Sequence, residues 1–485
     1  MVVMKKALGV LMIGMLLLPF VSGAVVLKST GYELHVTPAG NYYAGYATAF
    51  WRGFHRPYYG VFMKVSRDGS LEWAYNYSAG RGIILSTTLP LDDGFLLLGE
   101  VAGAENAFPL AMKVDESGKP LWVRFYNVSL PDVYSGTFIN AIRSESGFLI
   151  LGLIFRWSGS EIHTAPMLLN MSPSGDVASA EVLDVRDVKE FLSEHGDGWL
   201  SMGMNLSDGK LAVVKVSPSG AVESAWSYTL PSSLVGHDGT KLPGALYSYI
   251  YPTGSGGVIR ALYYLNDRPN EWSFEWMTTV RVQDGKVVSC LNSTNPLPGK
   301  HFYPSSRSTL ENPGMIYGTF LDNFTFEELS GSNSPAYSRF RVVMINVSLG
   351  ILEPDEKGGK AYIKPLGDNV TYAILSPRGI AEYTADNRSI VTIFDSENID
   401  PENFGFKEVG METKPCKVEL KAEPLNVSFS SVPVSYGSLD VQYSPLHLEV
   451  SLIKEASETA MSPPWLSFLL VLIASLSLAL WVRRG

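Results

Sequence analysis

Three stretches of the sequence combine tryptophan with arginine in a pattern that suits ligand binding. They read AFWRGFHRPYY (49–59), FRWSGSEIH (155–163) and LNDRPNEWSFEW (265–276). Aromatic rings stack on the apolar faces of sugars and peptides, and guanidinium groups orient a ligand through paired hydrogen bonds. The sequence therefore predicts a binding surface for a glycan or peptide ligand, formed by Trp51, Arg52, Arg56, Arg156, Trp157, Arg268 and Trp272.

Two other interpretations of these stretches stay open. The same aromatic side chains would suit packing at the rim of a sheet, since aromatic residues make up 12% of the chain. A polysaccharide hydrolase or lyase would instead use nearby carboxylates for acid and base chemistry. The carboxylates available for that role are Glu161, Asp267, Glu271 and Glu275.

The rest of the sequence favours binding over catalysis. It contains no zinc-protease, serine-hydrolase, P-loop or EF-hand motif, and its 7 His lie at no metal-ligand spacing. Acidic clusters such as Asp92-Asp93-Gly94 and Asp197-Gly198 fit turn geometry. The net charge of −10 disfavours nucleic acid. We therefore predict a non-enzymatic binding module with no catalytic residue, metal or cofactor.

A repeat of 51 to 59 residues must position the three stretches. Gly40, Gly94, Gly147, Gly198, Gly257 and Gly314 each precede an apolar run, and the stretch from Arg388 is interpreted as a degraded seventh copy. Second turns are predicted at Gly69, Gly118, Gly175, Gly220, Gly285 and Gly350, and residues 406–420 are assigned to the seventh copy. Units of this length, each of four short strands, predict an all-β, seven-bladed β-propeller, with six blades as the alternative. The three stretches fall between the second and third strands of their units, on one face.

The second half of the unit resembles a known family. Blade one contains Asp68-Gly69-Ser70-Leu71-Glu72-Trp73, and blade two contains Asp115-Glu116-Ser117-Gly118-Lys119-Pro120-Leu121-Trp122. These segments are similar to the D-x-x-G-x-x-x-W unit of quinoprotein-like propellers, of the kind found in archaeal secreted and surface proteins. The resemblance implies that the Trp packs between blades. It does not extend to the quinone cofactor, because the chain has no adjacent cysteines.

The two ends of the chain predict a membrane-anchored, extracellular protein. Lys5 and Lys6 precede an apolar stretch that ends in small residues, which is typical of a secretory signal. Residues 465–482 carry no charge and are followed by Arg483-Arg484, as in a single membrane span. We predict a signal peptide (1–24), a propeller (25–425), a β-rich stalk or closing segment (426–455), a linker (456–464), a transmembrane helix (465–482) and a cytoplasmic tail (483–485).

Glycosylation motifs point to the same location. Ten of the 20 Asn begin an Asn-x-Ser/Thr motif, and Asn170 has the poorest context because Pro173 follows it. The predicted glycan acceptors are Asn76, Asn127, Asn205, Asn292, Asn323, Asn346, Asn369, Asn387 and Asn426. An oxidising compartment would permit a bond between Cys290 and Cys416. Their assignment to blades five and seven, which do not touch around a ring, argues against it.

Overall fold

The computed structural model describes residues 24–30, 32–39, 42–49, 60–66, 70–103, 106–158, 161–185, 188–231, 233–235, 241–243, 247–263, 276–304, 315–328, 340–367, 370–376, 379–384, 388–393, 401 and 405–453. Their regular structure consists of β-strands. Among these residues, no helix is long and apolar enough to cross a membrane. The predicted transmembrane helix and residues 1–23 of the predicted signal peptide lie outside this part of the chain.

Four antiparallel meanders, each of four strands consecutive in one sheet, form separate sheets that gain a fifth strand at the outer edge. The first meander is β2 (Tyr32–Ala39), β3 (Tyr42–Ala49), β4 (Gly60–Ser66) and β5 (Leu71–Ser78). The second is β6 (Ile83–Leu91), β7 (Gly94–Ala102), β8 (Ala107–Val114) and β9 (Pro120–Val128). The fifth is β20 (Tyr247–Thr253), β21 (Gly256–Tyr263), β22 (Trp276–Gln283) and β23 (Lys286–Thr294). The sixth is β24 (His301–Pro304), β25 (Ile316–Leu321), β28 (Val347–Glu353) and β29 (Gly359–Gly367).

A ten-stranded sheet holds the third and fourth meanders. The third is β10 (Val133–Ser144), β11 (Gly147–Ser158), β12 (Glu161–Met171) and β13 (Val177–Leu183). The fourth is β14 (Val188–Gly196), β15 (Trp199–Leu206), β16 (Leu211–Val216) and β17 (Val222–Thr229). One residue pair, Thr164 with Val188, joins them. A short hairpin of β18 (Ser233–Val235) and β19 (Lys241–Pro243) precedes the fifth meander.

The seventh meander brings together residues from opposite ends of the chain. It consists of β30 (Val370–Ser376), β31 (Gly379–Thr384) and β32 (Arg388–Ile393), with β1 (Ala24–Thr30) as its fourth strand. A hairpin of β26 (Asn323–Glu328) and β27 (Phe340–Ile345) extends this seven-stranded sheet through a single pair, Met344 with Val370. The N-terminal strand therefore closes the sheet that holds the last repeat.

The strands of a meander are buried on both faces. Leu96 and Leu98 of β7 belong to the core shared with the third meander, whereas Phe95 and Leu97 belong to the core shared with the first. Strands covered on both sides need near-continuous apolar runs, which explains sequences such as GFLLLG. Neighbouring sheets therefore pack face to face.

Aromatic side chains tie each turn to the sheet before it. The indole nitrogen of Trp73 donates to the carbonyl of Glu116 at 2.9 Å, and the Tyr77 hydroxyl donates to the carbonyl of Gly118 at 2.6 Å. Trp122 and Tyr126 repeat these bonds to the next turn, at Pro173 and Gly175. The packing of Trp between blades, which the family resemblance implied, is thus present in these meanders.

The two sides of a meander carry different connections. One side, here called the turn side, carries the turns between its first and second strands and between its third and fourth strands. The opposite side, here called the connection side, carries the link between the second and third strands and the links to neighbouring meanders. The third meander, for example, has Glu145 and Gly175 on its turn side.

A segment of residues 407–453, here called the C-terminal belt, supplies the fifth strands. It passes the meanders in reverse order as β33 (Lys407–Met411) on β29, β34 (Thr413–Pro415) on β23, β35 (Lys421–Pro424) on β17, β36 (Phe429–Ser431) on β13, β37 (Val434–Ser438) on β9, β38 (Gln442–Pro445) on β5 and β39 (Glu449–Ile453) on β1. Apolar residues between these strands, including Leu425, Val427 and Leu439, pack against the cores of adjacent sheets. The outer edge of each of the seven meanders is thereby covered by the same segment.

The belt corrects two expectations from the sequence. Residues 406–420 are not a seventh repeat, because β33 and β34 pair with the sixth and fifth meanders. Cys416 consequently lies beside β23 and forms a disulfide with Cys290, with Cα atoms 5.0 Å apart. The argument against this bond rested on placing Cys416 in a distant blade, and that placement was wrong. Gly350 is also misassigned, since it lies within β28 and the turn before β29 contains Gly358.

An ion cluster also fastens the belt to the meanders. The Asp176 carboxylate accepts hydrogen bonds from Arg124 at 2.6 Å, from Ser174 and from the belt residue Tyr436 at 2.7 Å. Hydrogen bonds from Ser174, Tyr436 and Arg124 hold the pKa of Asp176 well below its ordinary value. The Arg124 guanidinium also lies 4.5 Å from the centre of the Tyr436 ring.

The prediction of an all-β propeller is confirmed. The sheets are not divided into seven separate four-stranded blades, however. Four meanders stand as discrete sheets, two share the ten-stranded sheet, and the outer edges carry belt strands.

Candidate ligand-binding surface

Two of the seven predicted ligand-binding residues lie in the described part of the chain. Arg156 and Trp157 are at the connection-side end of β11. Trp51, Arg52, Arg56, Arg268 and Trp272 lie outside the described residues, between β3 and β4 and between β21 and β22. The two undescribed stretches therefore fall between second and third strands, as predicted.

The stretch at residues 155–163 is a hairpin end rather than a long loop. Its pairing with β12 runs without a break from Phe148 and Met171 to Ser158 and Glu161. Trp157 lies directly opposite Ile162 in this register, and Arg156 lies opposite His163. The alternation of large apolar and polar residues continues the strand pattern, so the chain stays extended to the end.

Three apolar side chains form an exposed surface at this end. Trp157 is 48% exposed and Ile162 is 50% exposed, although both have large hydrophobic side chains. The Tyr134 ring lies 5.2 Å from the Trp157 ring, at an interplanar angle of 39°. We call Tyr134, Trp157 and Ile162 the Trp157 surface. Its flat ring and aliphatic neighbour present an apolar platform to solvent.

An ion pair lies beside the Trp157 surface. Nε of Arg156 donates to Oδ2 of Asp132 at 2.7 Å, and the terminal nitrogen of Arg156 lies 2.6 Å from the same oxygen. The backbone N–H of Trp157 donates to the Asp132 carbonyl at 2.8 Å. Because Asp132 directly precedes β10, whose first residue Val133 lies opposite Arg156, these contacts fix the hairpin end against the start of β10. Partly exposed pairs contribute about 0–1 kcal/mol to stability, so orientation is their main effect.

The described residues include one of the four carboxylates considered for an enzyme. No group of three or more His, Cys, Asp or Glu side chains there is arranged to hold a metal ion. Of the four carboxylates considered for an enzyme, Glu161 lies on β12 opposite Ser158. Asp267, Glu271 and Glu275 lie outside the described residues.

Two buried ionisable groups escaped the sequence analysis. Burial raises the pKa of Glu100, and a hydrogen bond from Thr137 of the next meander opposes that shift. Arg260 is fully buried, donates to the Met315 carbonyl at 2.8 Å and lies 5.2 Å from the centre of the Tyr251 ring. Burial lowers the pKa of Arg260. A charged residue within an apolar strand run, as in LLLGEVA, is the signal that indicates such groups.

The predicted glycan acceptors occupy different environments. Asn127, Asn346 and Asn426 are exposed, whereas Asn292 is 6% exposed and the Asn205 amide donates to the Ser248 carbonyl at 2.7 Å. A glycan is tolerated only where a side chain meets water, so burial disfavours Asn292 as an acceptor in the folded chain. Asn369 and Asn387 lie outside the described residues, and Asn76 and Asn323 are on β5 and β26.

Comparisons with known proteins give no family for this chain. No family model matches it, and no curated protein matches it. Among solved structures, the WD40 domain of SCAP from fission yeast is similar, with 9% identity and a TM-score of 0.33. The match covers 77% of this chain and 99% of that domain. A TM-score this low supports no functional conclusion.

Proposed function

We propose that this protein is a membrane-anchored, extracellular β-propeller that binds a glycan or peptide at its connection side without catalysing a reaction. The observation that carries the proposal is the Trp157 surface, where an exposed indole and its cross-strand neighbour Ile162 stand beside the Arg156–Asp132 pair. Exposed aromatic groups with adjacent hydrogen-bonding groups are typical of recognition sites.

The size of this surface favours a small ligand. Stable protein–protein interfaces bury roughly 1,200–2,000 Å² and use 20–30 residues on each side. Three apolar side chains and one ion pair fall well short of that, but they match the face of a sugar ring or a short peptide. Trp51, Arg52, Arg56, Arg268 and Trp272 would extend the same site, because the links that contain them lie between second and third strands.

Several sequence features support the proposed location and architecture. The seven meanders would be the blades of one ring, and the resemblance to quinoprotein-like repeats fits that arrangement. The uncharged stretch at 465–482 and the abundance of glycosylation motifs agree with an extracellular domain on a single C-terminal anchor.

Replacing Trp157 tests the proposal. Arrays of immobilised glycans and peptides would first identify a ligand of the wild-type protein, and binding would then be measured for Trp157→Ala. We expect the dissociation constant to rise at least about tenfold, since central aromatic residues commonly contribute about 2 kcal/mol or more.

Leu121→Ala is the matched control. Leu121 is 55% exposed but lies near the start of β9, on the turn side of the second meander. Its replacement should leave ligand capture unchanged, and both variants should keep the unfolding temperature of the wild type. Equal capture by wild type and Trp157→Ala would reject this surface as the binding site.

A further inference from the structure

The belt covers a predicted glycan acceptor that lies two residues from the disulfide. Asn292, Ser293 and Thr294 form the acceptor motif near the end of β23. In register with the belt, Asn292 faces Lys414 and Ser293 faces Thr413. The motif therefore lies inside a five-stranded sheet once the belt is in place.

Each residue of the motif is engaged in the folded chain. Oδ1 of Asn292 accepts a hydrogen bond from the Thr278 hydroxyl at 2.7 Å, and Asn292 is 6% exposed. Ser293 is fully buried, with its hydroxyl 3.1 Å from that of Thr413. The Thr294 hydroxyl accepts a hydrogen bond from the backbone N–H of the belt residue Glu412 at 3.2 Å.

A glycan on Asn292 would occupy the space that the belt needs. Successive side chains of a strand alternate between faces, so Asn292 shares a face with Cys290. Cys290 is 7% exposed, belongs to the core with Leu211 and Tyr228 of the fourth meander, and is bonded to Cys416. A bulky, hydrated glycan attached to Nδ2 of Asn292 would have to lie between the two sheets and would separate them.

The order of synthesis gives the glycan a chance to attach before the belt can cover Asn292. Asn292 and Cys290 are synthesised well before Cys416, so the outer edge of β23 is uncovered when the acceptor first emerges. We propose that glycosylation of Asn292 and the Cys290–Cys416 disulfide exclude each other, so that a finished, belted protein carries an unmodified Asn292. This inference rests on the proposed extracellular location, because glycan transfer requires passage through a secretory membrane.

The disulfide forms by thiol–disulfide exchange, in which the Cys290 and Cys416 thiols give up two electrons and two protons to an oxidised disulfide partner of the secretory compartment. The competing glycan transfer is a substitution. The Asn292 amide nitrogen forms a bond to the anomeric carbon of a lipid-diphosphate-linked oligosaccharide. The bond from that carbon to the diphosphate oxygen breaks, the lipid diphosphate leaves, and the amide proton passes to solvent. Asn127 offers an internal comparison, because it pairs with the belt residue Ser435 yet has an exposed side chain. A glycan on Asn127 is compatible with the belt.

Peptide mass spectrometry of the full-length protein from an N-glycosylating host tests the exclusion. Free thiols are alkylated, the protein is cleaved with trypsin without reduction, and an amidase converts each glycosylated Asn to Asp. Cys290 and Asn292 then share the peptide 287–300, while Cys416 lies in the peptide 408–417. We expect disulfide-linked peptide pairs to contain only unconverted Asn292, and converted Asn292 to occur only beside alkylated Cys290.

Two variants complete the test. Cys416→Ser, which cannot form the bond, should raise the converted fraction at Asn292 and leave that at Asn127 unchanged. Thr294→Val removes the acceptor motif with little change in shape and should form the disulfide at least as completely as the wild type. A linked pair containing converted Asn292 would overturn the proposal. So would a Cys416→Ser protein with glycosylated Asn127 and no conversion at Asn292. If Asn127 and Asn426 are also unconverted in the wild type, the proposed location fails, and this inference fails with it.

Discussion

Gly118 shows how a single position joins two sheets. Its φ of +81° lies in the left-handed region, and an added Cβ would lie 2.8 Å from the Trp73 ring of the preceding meander. Gly209 has nearly the same φ, +80°, but nothing lies within 4 Å of its added Cβ. Comparing the two glycines therefore separates the effect of backbone conformation on stability from the effect of packing.

Alanine at these two positions should have unequal effects on stability. Gly209→Ala should lower the free energy of unfolding by about 1 kcal/mol, the usual cost of a left-handed alanine. Gly118→Ala should cost a further 1–3 kcal/mol or so, because the methyl group overpacks against Trp73. Denaturant titration monitored by tryptophan fluorescence measures both. Equal midpoints for the two variants would show that the Trp73 contact does not constrain the turn.

Individual residues of the site were predictable only in part. The sequence pointed to Arg156 and Trp157 because three stretches that combine tryptophan with arginine recur at the same place in their repeats. It did not reveal Asp132 as the partner of Arg156, since that contact depends on the register of β10 with β11, in which Val133 lies opposite Arg156. Ile162 was missed as part of the surface, because its exposure depends on the hairpin extending to Ser158.

At the scale of strands, the sequence predicted the repeated meanders but did not predict the C-terminal belt. Apolar runs recur along the chain because strands such as β7 are buried on both faces, and glycines recur at the turns between strands. Belt strands such as β34 and β36 have only 3 residues each, and they pair through backbone groups with little demand on side chains. Period-two alternation around Val427 was visible, but alternation alone does not say which edge a strand joins.

The belt contact at Asp176 should make stability depend on pH. The pKa of Asp176 is lowered in the folded chain, so its hydrogen bonds stabilise the fold above its ordinary pKa of about 4. That contribution declines as the pH falls below about 4, where the unfolded chain is protonated first, and it is lost only as the pH reaches the lowered pKa of the folded carboxylate. Asp176→Asn should therefore lower the unfolding temperature at pH 6 and approach the wild type near pH 2.

Two tyrosine variants serve as comparisons for Asp176. Tyr436→Phe removes the belt donor to Asp176 and keeps the Arg124 pair, so it should show a smaller pH-dependent loss. Tyr443→Phe changes a belt residue that packs on Tyr75 and Tyr77, and it should keep the pH profile of the wild type. An Asp176→Asn profile parallel to the wild type between pH 6 and 2 would contradict the assignment.

For the whole molecule, the anchor prediction leads to a direct test. The last belt strand ends at Ile453, so a chain that stops at Ser462 keeps every described strand. We expect this truncated protein to be released into the medium in folded form, with its disulfide intact, because residues 465–482 supply the proposed anchor. Full-length protein should stay in the membrane fraction. Retention of the truncated form in that fraction would contradict a single C-terminal anchor.

The pairing of β39 with β1 also sets the time at which folding can finish. Ala24 lies opposite Ile453, so nearly the whole described chain separates these two partners. The sequence separation of this contact is very large, and non-local pairing of this kind slows folding. Until the ribosome has delivered residues 407–453, outer edges of the meanders stay uncovered, that of the seventh meander for the longest time, and bare edges invite association with other chains. The nascent protein is therefore most prone to aggregate after its meanders have formed and before residues 407–453 have been added.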